Sequence, residues 1–306
     1  MNQIKRLFIP GDSWLYYKFY LGPKTADKLL VEVLQPLMKQ LMVKNHIKKW
    51  FFIRYADPKE HLRFRCEMVS LEAMPVILAQ INQALAPYTD SKLIWKVQID
   101  TYKRELERYG NSSMVVCEEI FCHDSEMVSG LVNLVDQNPN NAEQQRWLIA
   151  MLAVDEILND NGLDLNQKTE VFKHLHEGFG KEFGMNKALR VQIDAKYRRL
   201  KKEIASVLER QANDDFVSLY EIVSEKSIRC KELYEEISKM REYDKTIPNP
   251  VDLLSSFSHM LLNRLFRSKQ RMQEMVVYGL LYRYYHSQAM RLKYSKQSQK
   301  AILLNK

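Results

Sequence analysis

Short runs in which apolar and polar residues alternate dominate the first third of the chain. Residues 61–68, HLRFRCEM, alternate strictly, so that leucine, phenylalanine and cysteine share one face while a histidine, two arginines and a glutamate share the other. Residues 14–21 and 50–55 are short and rich in aromatic residues, and residues 93–102 return to the β-type pattern. The four segments predict four β-strands.

Two stretches with the period of an amphipathic helix separate these strands. Residues 25–42, TADKLLVEVLQPLMKQLM, follow a Gly-Pro pair and have Thr25 as a predicted N-cap. Residues 71–86 carry Pro75 in their predicted first turn. The order β-α-β-β-α-β predicts a split βαβ unit of the ferredoxin-like kind, with helices on one face of an antiparallel sheet.

From about residue 117 the apolar positions recur every 3.6 residues, which predicts a mainly helical region. Asn249 or Asp252 is expected to cap the sixth helix of this region, with Pro250 at a plausible first helical position. The fold class is therefore α+β, and we expect residues 117–306 to pack on the sheet region of residues 1–116 as one domain. The predicted helices lie at 117–136, 142–161, 164–183, 187–210, 216–244, 249–268 and 271–292.

Composition places the chain among folded globular proteins. It has 306 residues, of which 46% are hydrophobic, and it contains no run of about 20 uncharged apolar residues of the kind that spans a membrane. The N-terminus lacks the apolar run of a secretory signal, so we expect a cytoplasmic protein. The four cysteines match neither a zinc ribbon nor a disulfide scaffold and are expected to be reduced.

Positive charge is concentrated in the sheet region. Residues 1–116 hold 18 Lys+Arg against 11 Asp+Glu, whereas residues 117–306 hold 28 against 27. Such an excess suits a nucleic acid, a small anionic group or an acidic peptide, and charge alone does not choose among them. The sequence has no glycine-rich phosphate loop, G-x-S-x-G elbow or H-E-x-x-H helix, so we expect neither a cofactor nor a metal.

Two arginines on the 61–68 strand are the first candidates for chemistry. Alternation places Arg63 and Arg65 on one face, roughly 6.5–7 Å apart, a spacing that suits a dicarboxylate or one carboxylate held from two sides. Taken alone, the pair is explained more simply by an exposed, charged sheet face. Residues 100–111 supply further polar candidates just before a glycine, namely Arg104, Glu105 and Arg108.

A second group of candidates lies near residue 260. His259 and Asn263 are four residues apart, so they share one face of a helix that also carries several serines and is unusually polar. A single helical histidine is often structural, but the polar residues around His259 make a role in proton transfer equally plausible.

Five segments together resemble the C-terminal elimination domain of the class I lantibiotic dehydratases, also called the thiopeptide-type bacteriocin biosynthesis domain. The resemblance runs in order over nearly the whole chain, and its most specific parts are DPKEHLRFR and HMLLNRL. The matching segments are WLYYKFYLG, WFFIRYADPKEHLRFR, TYKRELERYG, EEIFCHDSEMV and SFSHMLLNRLF.

The resemblance implies a reaction. In that family a large domain transfers glutamate from glutamyl-tRNA to Ser or Thr of a precursor peptide, and the elimination domain expels the glutamate to leave dehydroalanine or dehydrobutyrine. Only the second domain has a counterpart here. We therefore expect a stand-alone lyase that acts on a glutamylated precursor peptide and works with a separate, tRNA-dependent glutamylating protein.

The resemblance also implies residue roles. Arg63 and Arg65 would hold the leaving glutamate, and His259 would move a proton, as base or as acid. The expected catalytic residues are Arg63, Arg65, Arg108 and His259, and the expected substrate-binding residues are Arg54, Arg104, Glu105 and Asn263.

Three other functions remain open on the sequence. One is a cyclase of the same domain family that joins two dehydroalanines into the ring of a thiopeptide. Another is a non-catalytic module that binds a leader peptide by adding it as a strand to the basic sheet. Direct tRNA binding is less expected, and a homodimer is plausible but not required by the composition.

Overall fold

The computed structural model describes residues 4–137, 142–211 and 216–304. Among these described residues six strands lie between Leu7 and Lys103, and four of them build the main sheet. The strands are β1 (Leu7–Phe8), β2 (Trp14–Leu21), β3 (Ile47–Tyr55), β4 (His61–Met68), β5 (Ile94–Ile99) and β6 (Tyr102–Lys103).

The main sheet has the strand order β3-β4-β2-β5, and all its neighbours are antiparallel. In the chain order of these four strands this is 2-3-1-4, the arrangement of a split βαβ unit, so the predicted topology is confirmed. In the central strand β4, Arg65 lies opposite Tyr16 of β2 and Phe51 of β3. That register fixes the neighbours of Arg65.

Helices join the strands where the apolar period predicts them. The first runs as α1 (Pro23–Leu29), a π-helical turn (Leu30–Leu34) and α2 (Gln35–Val43). Thr25 is not its N-cap, so that prediction is wrong. Gly22 occupies the cap position, because proline at the next residue has no N–H to satisfy and fits the first turn.

The sequence predicted the second of these helices correctly, but it did not predict the break in the strand that follows. A 3₁₀ turn (Leu71–Ala73) leads into α3 (Met74–Asp90), with Pro75 in the first turn as predicted. The strand expected at 93–102 is divided after Ile99, because residues 94–99 pair with β2 whereas Tyr102 pairs with β1; between the two parts the Asp100 carboxylate accepts from the N–H of Thr101. Tyr102 and the following Lys103 form β6, which pairs with β1 in a separate two-stranded sheet.

A single helical turn, α4 (Leu106–Tyr109), connects the small sheet to the helical part and ends at Gly110. Gly110 has φ +86°, and a Cβ there would lie 2.5 Å from a side-chain carbon of Ile247. Only glycine combines this backbone conformation with so close an approach. The motif residues before it are therefore held at a fixed corner of the structure.

The helical part contains the seven helices that the sequence predicts. Asn249 caps the sixth by accepting from the N–H of Asp252 at 3.0 Å, and Pro250 is its first residue, both as predicted. The seventh helix extends further than the predicted 271–292. The helices are α5 (Met114–Gln137), α6 (Ala142–Asp160), α7 (Leu165–Glu182), α8 (Lys187–Leu208), α9 (Val217–Tyr243), α10 (Pro250–Leu265) and α11 (Gln270–Leu304).

Aromatic contacts connect the sheet to the helices. Phe51 of β3 meets Phe121 of α5 at a ring separation of 5.5 Å, and Phe121 meets Phe257 of α10 at 6.3 Å. One cluster of buried apolar residues runs through both parts. In the described ranges no helix has the length and apolar character needed to cross a membrane.

Candidate active site

Arg65 occupies an aromatic niche on the sheet. Its side chain points away from the face that bears Phe64 and Cys66, as the alternation predicts, and the residue is only 8% exposed. The guanidinium carbon lies 4.3 Å from the ring centre of Tyr16, 4.9 Å from that of Tyr102 and 5.3 Å from that of Phe51. Ring faces attract cations, so the niche holds the guanidinium in place.

The buried charge of Arg65 has no ion-pair partner among the described residues. Among the hydrogen bonds and ion pairs of the described residues none involves the Arg65 side chain, and its Nε is buried without a partner. Burial lowers the pKa of the Arg65 guanidinium, and the neighbouring Tyr16 and Tyr102, and to a smaller extent Glu105, oppose that shift. A buried cation that lacks its own counterion is a place where an anion would be bound strongly.

Arg63 lies beside Arg65 on the same face and is partly exposed. Its guanidinium carbon stacks 3.4 Å from the ring centre of Tyr55, and its Nε donates to Nε2 of His61 at 3.3 Å. His61 keeps its proton on Nδ1, which donates to the carbonyl of Lys59, and burial lowers its pKa. Neutral His61 can therefore accept from Arg63, which fixes one side of this guanidinium and leaves the other nitrogens for a ligand.

Helix α4 brings a second charged pair to this region. Arg108 Nε lies 3.3 Å from Glu105 Oε2, and both side chains are exposed. The ring of Tyr109, at the end of α4, lies 5.0 Å from that of Phe121, which in turn lies 5.5 Å from the ring of Phe51 in the aromatic niche. That Arg65, Glu105 and Arg108 act together in one site stays a prediction.

His259 stands on α10 and is held by a carboxylate that the sequence analysis did not identify. Its Nδ1 lies 2.8 Å from Oε1 of Glu274 on α11, and Glu274 is fully buried. A carboxylate accepts hydrogen bonds and does not donate them, so Nδ1 carries a proton, and in the neutral imidazole Nε2 offers the lone pair. The arrangement suits a general base whose ring is oriented from behind.

The position of α10 relates His259 to the rest of the site. Phe257, two residues earlier, touches the ring of Tyr109 on α4 at 5.8 Å. Asn263, one turn later, accepts from the N–H of Arg54 at 2.9 Å and donates to its carbonyl at 3.0 Å. In the described part of the chain the polar contacts of His259 go to Glu274 and not to the arginines.

Two predicted substrate-binding residues have structural contacts instead. Arg104 forms a two-pronged pair with buried Glu118, with Nε to Oε1 at 2.7 Å and Nη2 to Oε2 at 2.6 Å. Arg54 is buried, pairs with Asp27, and donates from Nε to the Arg264 carbonyl at 2.8 Å. We revise both assignments, because a guanidinium already bound to a buried carboxylate is not available to a ligand.

Asn263 also has a different role from the predicted one. Both ends of its side chain are bonded to the backbone of β3, so it attaches α10 to the sheet edge rather than offering a free amide to substrate. The prediction that it shares a helix face with His259 holds, since the two are one turn apart on α10. Asn263 therefore fixes the helix that carries the histidine.

Glu274 and the aromatic niche escaped the sequence analysis. Glu274 is the single acid within the stretch MQEMVVYGLL, and an isolated acid among apolar helical residues is a signal that could have been used. The rings around Arg65 carried no comparable signal, because Tyr102 belongs to β6, a strand of a separate sheet that the sequence analysis did not distinguish from β5. In the described part of the chain no group of three or more His, Cys, Asp or Glu side chains could hold a metal ion.

The fold and site together define an α+β protein with a buried arginine in an aromatic niche and a histidine bonded to a buried carboxylate. Residues 14–285 match the family described as lantibiotic biosynthesis dehydratase C-term, and the chain belongs to that family. The resemblance seen in the sequence is confirmed at this level.

Comparison with an individual relative supports the same family. Subtilin biosynthesis protein SpaB of Bacillus subtilis is 22% identical over 278 residues, which are 89% of this chain and 25% of SpaB. The chain thus spans about a quarter of that relative.

Solved structures show the same fold. The tRNA-dependent lantibiotic dehydratase MibB from Microbispora sp. 107891 superposes with a TM-score of 0.67 at 19% identity, covering 89% of this chain and 28% of MibB. TbtD, the pyridine synthase from thiomuracin biosynthesis, gives a TM-score of 0.66 at 12% identity and covers 90% of this chain and 98% of TbtD.

Proposed function

We propose that the chain takes part in dehydration of a ribosomally made precursor peptide, as a lyase that eliminates glutamate from glutamylated Ser or Thr. Family membership supports the general role. The observation that carries the finer assignment is Arg65, which is buried and ringed by aromatic side chains and which, among the described residues, has no carboxylate as a hydrogen-bond or ion-pair partner. The leaving group of this reaction is a carboxylate, which is the kind of ion that the niche lacks.

The leaving group would be bound from the sheet. One carboxyl group of glutamate forms the ester, and negative charge grows on its oxygens as the bond to the peptide breaks. Arg65 meets that charge with a fixed guanidinium in a partly dry site, where electrostatic stabilisation is strong. Arg63 and the exposed Arg108–Glu105 pair are left to hold the free carboxyl and amino groups of glutamate.

His259 would act as the base. Its free Nε2 takes the α-proton of the modified residue, the electron pair of that C–H bond forms the Cα=Cβ double bond, and the Cβ–O bond breaks with its electrons on glutamate. The products are dehydroalanine or dehydrobutyrine, free glutamate and a protonated histidine, so atoms and charge balance. Glu274 stabilises the imidazolium that forms, and a base so placed is worth about 10²- to 10⁴-fold in rate.

The reaction needs a substrate made elsewhere. The chain would receive its peptide already glutamylated, from a tRNA-dependent protein that attaches glutamate to the hydroxyl. Direct tRNA binding by this chain is not part of the proposal. Neither a cofactor nor a metal enters any of the steps above.

A cyclase is the second candidate function. TbtD matches the fold almost as well as MibB does, and over nearly its full length. A cyclase that joins two dehydroalanines has no glutamate to bind, so the uncompensated Arg65 would serve no evident purpose there. The family match and the arginine niche together favour elimination.

Mass spectrometry of a synthetic peptide carrying one glutamylated serine tests the proposal. We expect the chain to release glutamate and leave dehydroalanine, and Arg65→Met and His259→Asn to leave the ester intact. Arg229→Met, which changes an exposed arginine on α9, is the matched control and should retain activity. An intact ester with the wild-type chain would reject elimination, and conversion of a peptide with two dehydroalanines to a ring would favour the cyclase.

A further inference from the structure

The two edge strands of the four-stranded sheet, β3 and β5, differ in whether side chains cover their outward backbone groups. On β3 the helices satisfy the outward backbone groups: Asn263 bonds both groups of Arg54, and Arg264 Nε donates to the Phe52 carbonyl at 2.9 Å. The N–H of Phe52 donates to the Ser125 hydroxyl at 3.2 Å. This edge is closed by side chains of α5 and α10.

The β5 edge has no such cover. β5 pairs with β2 on its inner side, and in the part of the chain that the structure describes no side chain is hydrogen bonded to the backbone of residues 94–99. Trp95 is 50% exposed, Val97 37% and Ile99 39%. An edge strand whose outward backbone groups are unpaired and whose exposed side chains are apolar can pair with another strand, and proteins normally protect such edges.

Charge along β5 restricts the kind of strand that would fit. Lys92 and Lys96 are exposed and form no ion pair among the described residues, and Lys96 lies 5.1 Å from the ring centre of Tyr20. The neighbouring Lys18, by contrast, is paired with Asp100. The edge therefore suits a segment in which apolar residues alternate with acidic ones, since alternate side chains of a strand face opposite sides.

We infer that the β5 edge docks the peptide substrate, through an extended acidic and apolar segment that adds as a fifth strand. The inference rests on the proposed function, because it takes the occupant to be the peptide that the site modifies. An added strand would lie three strand spacings, about 14 Å, from β4 and Arg65. Four or five extended residues cover that distance, so a docked segment can present a nearby Ser or Thr to the niche.

The docked segment is short. The pairing of β2 with β5 shifts register between Tyr20 and Leu21, and Trp95 lies opposite this irregularity. Regular geometry for a new strand is confined to residues 96–99. Backbone bonds would therefore be few, and the apolar contact with Val97 and Ile99 and the charge of Lys96 would decide which segment binds.

A labelled peptide of four Val-Glu repeats, titrated by fluorescence anisotropy, tests this edge. We expect it to bind the wild-type chain and to slow amide exchange at residues 96–99, and a peptide of four Val-Lys repeats to bind at least tenfold more weakly. Val97→Glu should weaken binding of the Val-Glu peptide at least tenfold. Val43→Glu changes a valine on α2 that is 82% exposed, and it should bind as the wild type does.

The outcomes separate the docking edge from the lyase. Equal affinity of the Val-Glu peptide for wild type and Val97→Glu would overturn the inference. So would a wild-type dimer in sedimentation that Val97→Glu dissociates, since the occupant would then be a second copy. Elimination from a short glutamylated peptide is measured with the same variants, and its absence in all of them, with docking intact, would reject the lyase alone.

Discussion

Replacing Arg65 with methionine separates the function of the niche from its contribution to the fold. Methionine fills much of the same volume and keeps contact with Tyr16, Phe51 and Tyr102, but it carries no charge. We expect elimination to fall at least about 10²-fold in kcat/KM, because the developing charge on the leaving group loses its donor. Stability should change little.

The small change in stability follows from two opposing terms. The change removes three contacts between a cation and a ring, each worth about 0.5–2 kcal/mol. It also removes the cost of keeping an uncompensated cation out of water, which is several kcal/mol. These terms nearly cancel, so we expect the free energy of unfolding to stay within about 2 kcal/mol of the wild type.

Arg104→Met is the matched control. Arg104 is as deeply buried as Arg65, but its removal leaves Glu118 without its two-pronged partner. Burial already raises the pKa of Glu118 with Arg104 in place. Breaking a buried pair from one side costs about 3–5 kcal/mol, so this variant should be far less stable.

Urea unfolding followed by circular dichroism, with elimination measured by mass spectrometry on the same preparations, gives both quantities. A loss of stability in Arg65→Met as large as that in Arg104→Met would mean that Arg65 is a structural residue. Full elimination by Arg65→Met would show that the leaving group is bound elsewhere. Either result would refute the reasoning about the niche.

Three further changes test other contacts. Glu274→Gln allows the amide to donate to Nδ1 of His259 and so leaves the proton on Nε2. We expect kcat to fall about 10²- to 10⁴-fold with little change in KM, and ¹⁵N NMR to show the altered tautomer. An unchanged kcat would exclude His259 as the base. Asn263→Ala removes both hydrogen bonds to the Arg54 backbone and should cost about 1–3 kcal/mol in urea unfolding; no loss would mean that α10 is held by packing alone. Burial by itself would raise the pKa of Asp27, but three guanidinium groups outweigh it and hold that pKa below its usual value. The stability from this group is therefore present above a pH of about 4 and lost as the pH falls through the folded pKa, and Asp27→Asn should flatten that acid dependence in thermal melts.

Much of the fold followed from local pattern. The 61–68 strand and its alternation, the proline in the first turn of α3 and the cap at Asn249 are each set by residues close in sequence. The division of the fourth predicted strand was missed, because it depends on which partner each half finds. Residues 94–99 pair with β2, whereas Tyr102 and Lys103 pair with β1, a strand of two residues whose pattern carries no signal.

The site was predicted in part. Sequence and resemblance together selected eight residues. The tertiary contacts divide these into residues that remain candidates for the site and residues that have structural contacts instead. Arg65 and Arg104 are both buried arginines on or beside strands, yet only Arg104 meets a carboxylate, Glu118, which comes from α5. Nothing local to either arginine distinguishes the two.

The sequence by itself determined the element types, the βαββαβ order and the placing of Arg63 and Arg65 on one face, because period and turn chemistry act over a few residues. Only the tertiary structure decided which charges are compensated, which ring nitrogen of His259 is free and which sheet edge is left open. Those properties depend on groups that are far apart along the chain, such as His259 and Glu274 or β3 and Asn263. A buried charge is stabilised by whatever lies beside it in space, and that neighbour is fixed only when the helices pack on the sheet.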